Sequence, residues 1–208
     1  MESPFLDTYR HGGQRIDMKR RAAILLALSS AIAPAQSDHR ERFTVSEFAT
    51  LVQRCAPNAA VSTMLAIART ESALRPYAVS INRPRKLAKS AGYPNARIDL
   101  TRAPESPAEA RRWAHWFRAH GFTTSIGIMQ VNTEIAQHYG VSDSELFNPC
   151  VNVRVASQIL GDAYSNANQQ YRDPAHALAS AISAYNTGNW RSGMSNGYVS
   201  QVYRNGRK

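Results

Sequence analysis

Several things are scarce in this chain. No apolar run reaches the 18 or so residues that a membrane-spanning helix needs, which excludes stable membrane insertion. Cysteine is limited to Cys55 and Cys150, with no histidine spacing to support them, so no zinc centre is expected, and no other metal or cofactor. There is no internal repeat, no low-complexity tract and no linker long enough to mark a second domain. Acidic side chains are few: 15 Asp and Glu stand against 25 Lys and Arg, a formal charge of +10. Such a surplus draws a protein towards polyanions, with nucleic acid as the usual guess. Here the basic residues are scattered without a recognisable binding motif, and no nucleic-acid partner is expected. What is present is ordinary: 208 residues, 43% hydrophobic and 19% charged, enough for one domain with a real core.

The N-terminal region reads as an address. Met18-Lys19-Arg20-Arg21 is basic, Ala22 to Ala33 is a short apolar stretch, and Ala33-Pro34-Ala35 offers a small-x-small cleavage site before Gln36. The expectation is an N-terminal extension and secretory signal over 1–35, with the signal from Met18 to Ala35, and a periplasmic mature protein. The competing reading is an amphipathic or buried N-terminal helix in an intracellular protein. Removal of the segment leaves 20 basic and 12 acidic residues. In an oxidising compartment an even cysteine count suggests a Cys55–Cys150 bridge, with two buried thiols as the alternative. If formed, the bridge closes a loop of nearly a hundred residues, worth up to about 4–5 kcal/mol in the chain-entropy model.

Glu71 is the most informative residue. Val61, Met64, Leu65 and Ala68 recur at the spacing of one helical face, and Glu71 continues that face. Burial and the negative end of a helix dipole both disfavour an ionised carboxylate, raising its pKa towards that of a general acid near neutral pH. The alternative is a glutamate that swings into solvent and pairs with Arg69 or Arg75.

Around it the chain reads as mainly helical. Thr44-Val45-Ser46-Glu47 is a capping box, and its helix should stop near Ala56-Pro57. The Glu71 helix should run from about Ala59 to Ser72 and end at Arg75-Pro76. Tyr77 to Ala103 reads as irregular loop or small hairpin. Ser106-Pro107-Ala108-Glu109 combines a cap, a first-turn proline and a capping box. Asn132 should start a short helix ending at Gly140, Asn148-Pro149 a longer one, and Asp173-Pro174 a helix stopped by Gly188. A short amphipathic piece near Tyr198 to Tyr203 should precede a basic tail over 204–208.

Three short patterns occur in order: Thr70-Glu71-Ser72; Ser125-Ile126-Gly127-Ile128-Met129-Gln130-Val131-Asn132; and Ser183-Ala184-Tyr185-Asn186-Thr187-Gly188-Asn189. With Cys55-Ala56-Pro57 and Leu146-Phe147-Asn148-Pro149-Cys150, they resemble lytic transglycosylases of the lysozyme-like superfamily. The closer resemblance is to the specialised enzymes that open the cell wall for type IV secretion and conjugation machines. It implies a mainly helical α+β, lysozyme-like fold, with the catalytic domain over 36–203. It also implies peptidoglycan glycan strands as substrate, and secretion-system components as partners. By the same resemblance Glu71 is the catalytic acid and base, while Ser72 holds the acetamido region of the substrate. Gln130 and the backbone around Met129 line the cleft, Asn132 contacts sugar or caps its helix, Tyr185 points at the glutamate, and Asn186 shapes the cleft wall.

Most glycosidases need two carboxylates. The recognised motifs supply one; Asp99, Glu105 and Glu109 lie in a variable insertion, where Glu109 is better explained as a cap. A substrate-assisted reaction needs only one. Two other readings are a hydrolytic muramidase, separable by product mass, and a wall-binding assembly protein, which has no need of a glutamate on an apolar face.

Overall fold

A capping box starts the first helix, as the sequence predicts. The Thr44 hydroxyl accepts the Glu47 N–H at 3.2 Å, and the Glu47 carboxylate accepts the Thr44 N–H at 2.7 Å. The computed structural model describes residues 42–82 and 104–208. The secretory signal, the extension before it and Asp99 lie outside them. All described residues belong to one unit, Ser37–Lys208.

Helix α1 (Val45–Cys55) buries Phe48, Leu51 and Val52, three- and four-residue neighbours on one face. Helix α2 (Val61–Glu71) follows, with Met64, Ile67 and Ala68 inaccessible to solvent. It ends where expected, with Ser72 as its C-cap. Ala73 and Leu74 then take left-handed backbone angles, φ 52° and 64°, which turn the chain away before Pro76.

Strand β1 (Val79–Asn82) occupies the start of the segment read as loop or hairpin. Its partner is distant: it pairs antiparallel with β2 (Thr123–Ile126), Val79 opposite Ile126 and Asn82 opposite Thr123. Strand β3 (Val131–Asn132) adds to the other edge of β2, with Ser125 opposite Asn132. The long segment between β1 and β2 includes α3 (Pro107–Ala119), which buries Ala110, Ala114 and Phe117. Its cap is only half of the expected box. The Ser106 hydroxyl accepts the Glu109 N–H, but the Glu109 carboxylate takes the N–H of Glu105 and the Trp113 indole instead.

Among the described residues five more α-helices follow, the first four being α4 (Thr133–His138), α5 (Pro149–Gln170), α6 (Pro174–Thr187) and the short α7 (Ser192–Ser195). A last helix, α8 (Tyr198–Gly206), packs on α2. Asn148 and Asp173 cap α5 and α6 with side-chain oxygens, each followed by a first-turn proline. Gly188 ends α6 at φ 73°, an angle that costs a glycine little. The first three residues of the expected basic tail, 204–206, belong to α8, where the Asn205 carbonyl accepts from the Arg69 guanidinium and its side-chain amide donates to the Thr70 hydroxyl. Those bonds carry the helix on past Tyr203.

The expected α+β, mainly helical architecture is what the chain adopts, with one three-stranded sheet. One core runs through it, including Phe48, Met64, Phe117, Ile126 and Ile182. Each such buried side chain contributes about 1.5–3 kcal/mol. Cys55 and Cys150 form a disulfide that joins the end of α1 to the first turn of α5, with Cα atoms 5.3 Å apart. Among the described residues no helix is long and apolar enough to cross a membrane.

Candidate active site

Glu71 is the last residue of α2 and stands half-buried in a cleft of about 500 Å³. The cleft brings together Glu71, Gln130, Asn132, Tyr185 and Asn186 from the three motifs. Ser80, Asn82 and Ser125, which the sequence did not single out, line it as well. Their presence follows from the sheet register. Ser80, Ser125 and Asn132 lie opposite one another across the three strands, and Asn82 sits two residues beyond Ser80 on the same face.

The walls are fixed by hydrogen bonds. Gly127 to Gln130 is the turn between β2 and β3, and its backbone is held by Asn152 of α5, whose side chain is inaccessible to solvent. The Asn152 amide oxygen accepts the Met129 N–H at 2.9 Å, while its NH₂ donates to Ile126 and Leu146 carbonyls at 2.8 and 3.1 Å. Gly127, at φ 84°, has no room for a side chain: a Cβ there would lie 2.4 Å from the Asn152 amide nitrogen. Gln130 also holds a left-handed backbone, φ 49°, a strained angle for a residue with a side chain. Its amide donates to the Ala78 and Gly127 carbonyls and accepts the Ser80 hydroxyl, which ties the turn to β1.

Ser72, an expected ligand-binding residue, lies under the cleft instead of lining it: its buried hydroxyl donates to the Ile128 carbonyl at 2.7 Å and accepts the Arg75 N–H at 3.1 Å, so it braces the end of α2 against the turn. The Met129 side chain is inaccessible to solvent and packs in the core, while its backbone, the part expected at the cleft, is bonded to the Asn152 amide and the Tyr185 hydroxyl. Asn132 caps α4, one of the two roles weighed for it: its side chain accepts the Glu134 N–H, and the residue also lines the cleft. Asn186 is exposed on the wall and accepts from the Asn196 amide.

The tyrosine bonded to Glu71 is a different one from that expected. Tyr185 donates its hydroxyl to the Met129 carbonyl at 2.7 Å. Tyr198, the first residue of α8, donates to Glu71 Oε1. Arg69, weighed as a partner for Glu71, is engaged with Asn205. The only sequence signal for Tyr198 was its place at the start of an amphipathic piece, which says nothing about a contact with a residue 127 positions earlier.

Burial pushes the Glu71 carboxyl up to about 7, against the opposing effect of the Tyr198 hydrogen bond, which favours the ionised form. The negative end of α2 acts in the same direction as burial. Burial first, and then the Glu71 charge, hold both tyrosine hydroxyls well above their ordinary range, so they stay protonated donors. Tyr198→Phe should therefore remove a stabiliser of ionised Glu71. We expect the alkaline limb of the kcat/KM profile to move to higher pH, with turnover down about two-fold to a hundred-fold. Tyr185→Phe should leave that limb in place. A limb unmoved in Tyr198→Phe would show that this hydroxyl does not govern Glu71.

Among the described residues Glu71 is the only carboxylate that lines the cleft, and no group of three or more His, Cys, Asp or Glu is placed to hold a metal. A helical unit with a small sheet, and a glutamate in a polar cleft, agrees with the lysozyme-like architecture that the motif resemblance implies. The Transglycosylase SLT domain model matches residues 50–205, and the chain belongs to that family. A "Type IV secretion system protein virB1" of Brucella abortus is 35% identical over 148 residues, covering 71% of this chain and 56% of the relative. A "Protein virB1" of Agrobacterium fabrum is 32% identical over 157 residues, 76% of this chain and 58% of the relative. One of Rhizobium radiobacter is 29% identical over 184 residues, 88% and 70%. The matches thus span a little over half the length of the first two relatives. No solved structure matches the chain.

Proposed function

We propose that the protein is a peptidoglycan lytic transglycosylase that cleaves between N-acetylmuramic acid and N-acetylglucosamine and opens the wall locally for a type IV secretion or conjugation apparatus. The observation that carries this reading is a lone cleft carboxyl whose pKa is raised to about 7. That value leaves it protonated often enough to act as an acid and ionised often enough to act as a base at one working pH. Family membership and the names of the relatives support the substrate and the setting.

In this mechanism Glu71 gives its proton to the glycosidic oxygen as the bond from that oxygen to the muramic anomeric carbon breaks. The N-acetylglucosamine end leaves with a new hydroxyl. The muramic N-acetyl oxygen stabilises the positive charge left on the anomeric carbon, the task a second carboxylate performs elsewhere. Glu71, now ionised, takes the proton of the muramic 6-hydroxyl. That oxygen bonds to the anomeric carbon, closing the anhydro ring and restoring the acid without water. Tyr198 steadies Glu71 in its ionised phase, and Gln130, Asn132, Tyr185 and Asn186 shape the cleft. Ser72 and Met129 act through the positions of the helix end and the turn.

We place the catalytic domain from about residue 36 to the end of α8, behind a signal from Met18 to Ala35, in the periplasm. Mass spectrometry of fragments released from purified sacculi tests the reading. Anhydromuramoyl ends are expected; fragments heavier by one water identify a hydrolytic muramidase, and no release leaves a wall-binding protein.

A further inference from the structure

Beyond Gly188 the chain turns through Asn189, Trp190 and Arg191, which with Gly188 line a second hollow of about 410 Å³. Gly188 lines both spaces, so the two are neighbours. The turn is held from within: the Asn189 side-chain oxygen accepts the N–H groups of Arg191 and Ser192 at 3.1 and 2.8 Å. Its carbonyl accepts the hydroxyls of Ser183 and Thr187 at 2.8 and 3.0 Å.

Trp190 is half-exposed at this fixed turn. Its ring meets Tyr171 edge to face at 5.8 Å, and Tyr171 stacks in turn on His176 at 4.0 Å. The Trp190 ring lines the second hollow and is propped there by Tyr171 and His176. Arg191 beside it is exposed, and among the described residues its guanidinium has no hydrogen-bond or ion-pair partner.

A fixed aromatic face complements the C–H face of a pyranose ring, and an unengaged guanidinium complements a carboxylate. We propose that Trp190 and Arg191 form a distal subsite for the peptidoglycan strand, with a sugar ring on Trp190 and a carboxylate of the attached stem peptide on Arg191. The inference rests on the proposed substrate and deepens it. A strand bound at Glu71 that leaves the cleft past Thr187 and Gly188 runs onto this turn, and the internal hydrogen bonds mean that little ordering is needed when it binds.

Binding of the full-length Glu71→Gln protein to purified sacculi, measured by co-sedimentation, separates this subsite from turnover. Adding Trp190→Ala or Arg191→Ala should weaken binding by about five- to thirty-fold. On glycan strands stripped of stem peptides by an amidase, the Arg191→Ala deficit should vanish while the Trp190→Ala deficit persists. If Trp190→Ala lowers the melting temperature, Trp190→Phe, which keeps an aromatic core and shrinks the stacking face, should show a smaller deficit of the same pattern. Arg54→Ala, exposed on α1, removes equal charge and should leave binding unchanged. Binding within two-fold of the parent for the Trp190 and Arg191 variants overturns the proposal, as does an Arg54→Ala loss equal to that of Arg191→Ala. If the unmodified protein releases no anhydro product, the reaction fails while these binding comparisons still decide the subsite.

Discussion

Glu71→Gln is expected to lose about 100-fold or more of wall-degrading activity and, above neutral pH, to gain stability. The amide keeps the shape and still accepts the Tyr198 hydroxyl, but it cannot cycle a proton. The stability gain follows from the raised pKa. Folding lifts the carboxyl from 4.5 to about 7, so the folded state holds its proton over a range where the unfolded chain has released it. Below the lower value both states are protonated and glutamic acid carries no penalty. As pH rises through the window stability falls, and above the upper value the penalty is complete, on the order of 3 kcal/mol. Glutamine does not titrate. The variant should therefore outlast the unmodified protein in urea at pH 8 by up to that amount and match it near pH 4. Equal stability at pH 8 would mean that Glu71 is not desolvated. Activity within a few-fold of the parent on sacculi, with matched circular dichroism, would remove it from catalysis.

Replacing both cysteines by alanine should cost about 2–5 kcal/mol, and lower the melting temperature by about 10 °C. The bridged residues lie 95 positions apart, and the chain-entropy cost of leaving such a loop open is large. The loop contains Glu71 and Gln130. Cys150 also lies two residues before Asn152 in the first turn of α5, and Asn152 holds the Met129 backbone, so the loss should extend to the cleft as reduced activity at temperatures where the fold survives. Thiol labelling of denatured, unreduced protein should give no signal. Two labelled cysteines in active protein of unchanged melting temperature would contradict the stabilising role.

The parts of this fold that were legible in the sequence are those governed by neighbours along the chain. Capping is local chemistry, which is why Thr44 with Glu47, Asn148 with Pro149, Asp173 with Pro174, and Gly188 mark helix ends that the structure reproduces. The apolar spacing that placed Glu71 on the inner face of α2 is equally local. The sheet was not legible, because β1 pairs with a strand more than forty residues away and four-residue strands carry little period-2 signal. The alignment of Ser80 with the motif residues Ser125 and Asn132 across the strands was hidden with it. The end of α2 fell within a residue of its expected place at Ser72, but the left-handed Ala73 and Leu74 that follow it carry no glycine or asparagine to announce them. Tyr198 and Asn152 were missed for a related reason: each acts through a contact across the fold, Tyr198 with Glu71 and Asn152 with the backbone around Met129. Motif resemblance found the cleft but assigned the glutamate's hydroxyl partner to Tyr185, thirteen residues too early.

The central claim is that one carboxyl breaks and remakes bonds at the anomeric carbon with no water entering. Digestion of purified sacculi in water labelled with heavy oxygen tests this directly. The account predicts released muropeptides that end in anhydromuramic acid, carry no heavy oxygen, and disappear with Glu71→Gln. Heavy oxygen in the reducing ends of the primary products, formed in a Glu71-dependent reaction, would contradict it and make the protein a hydrolase.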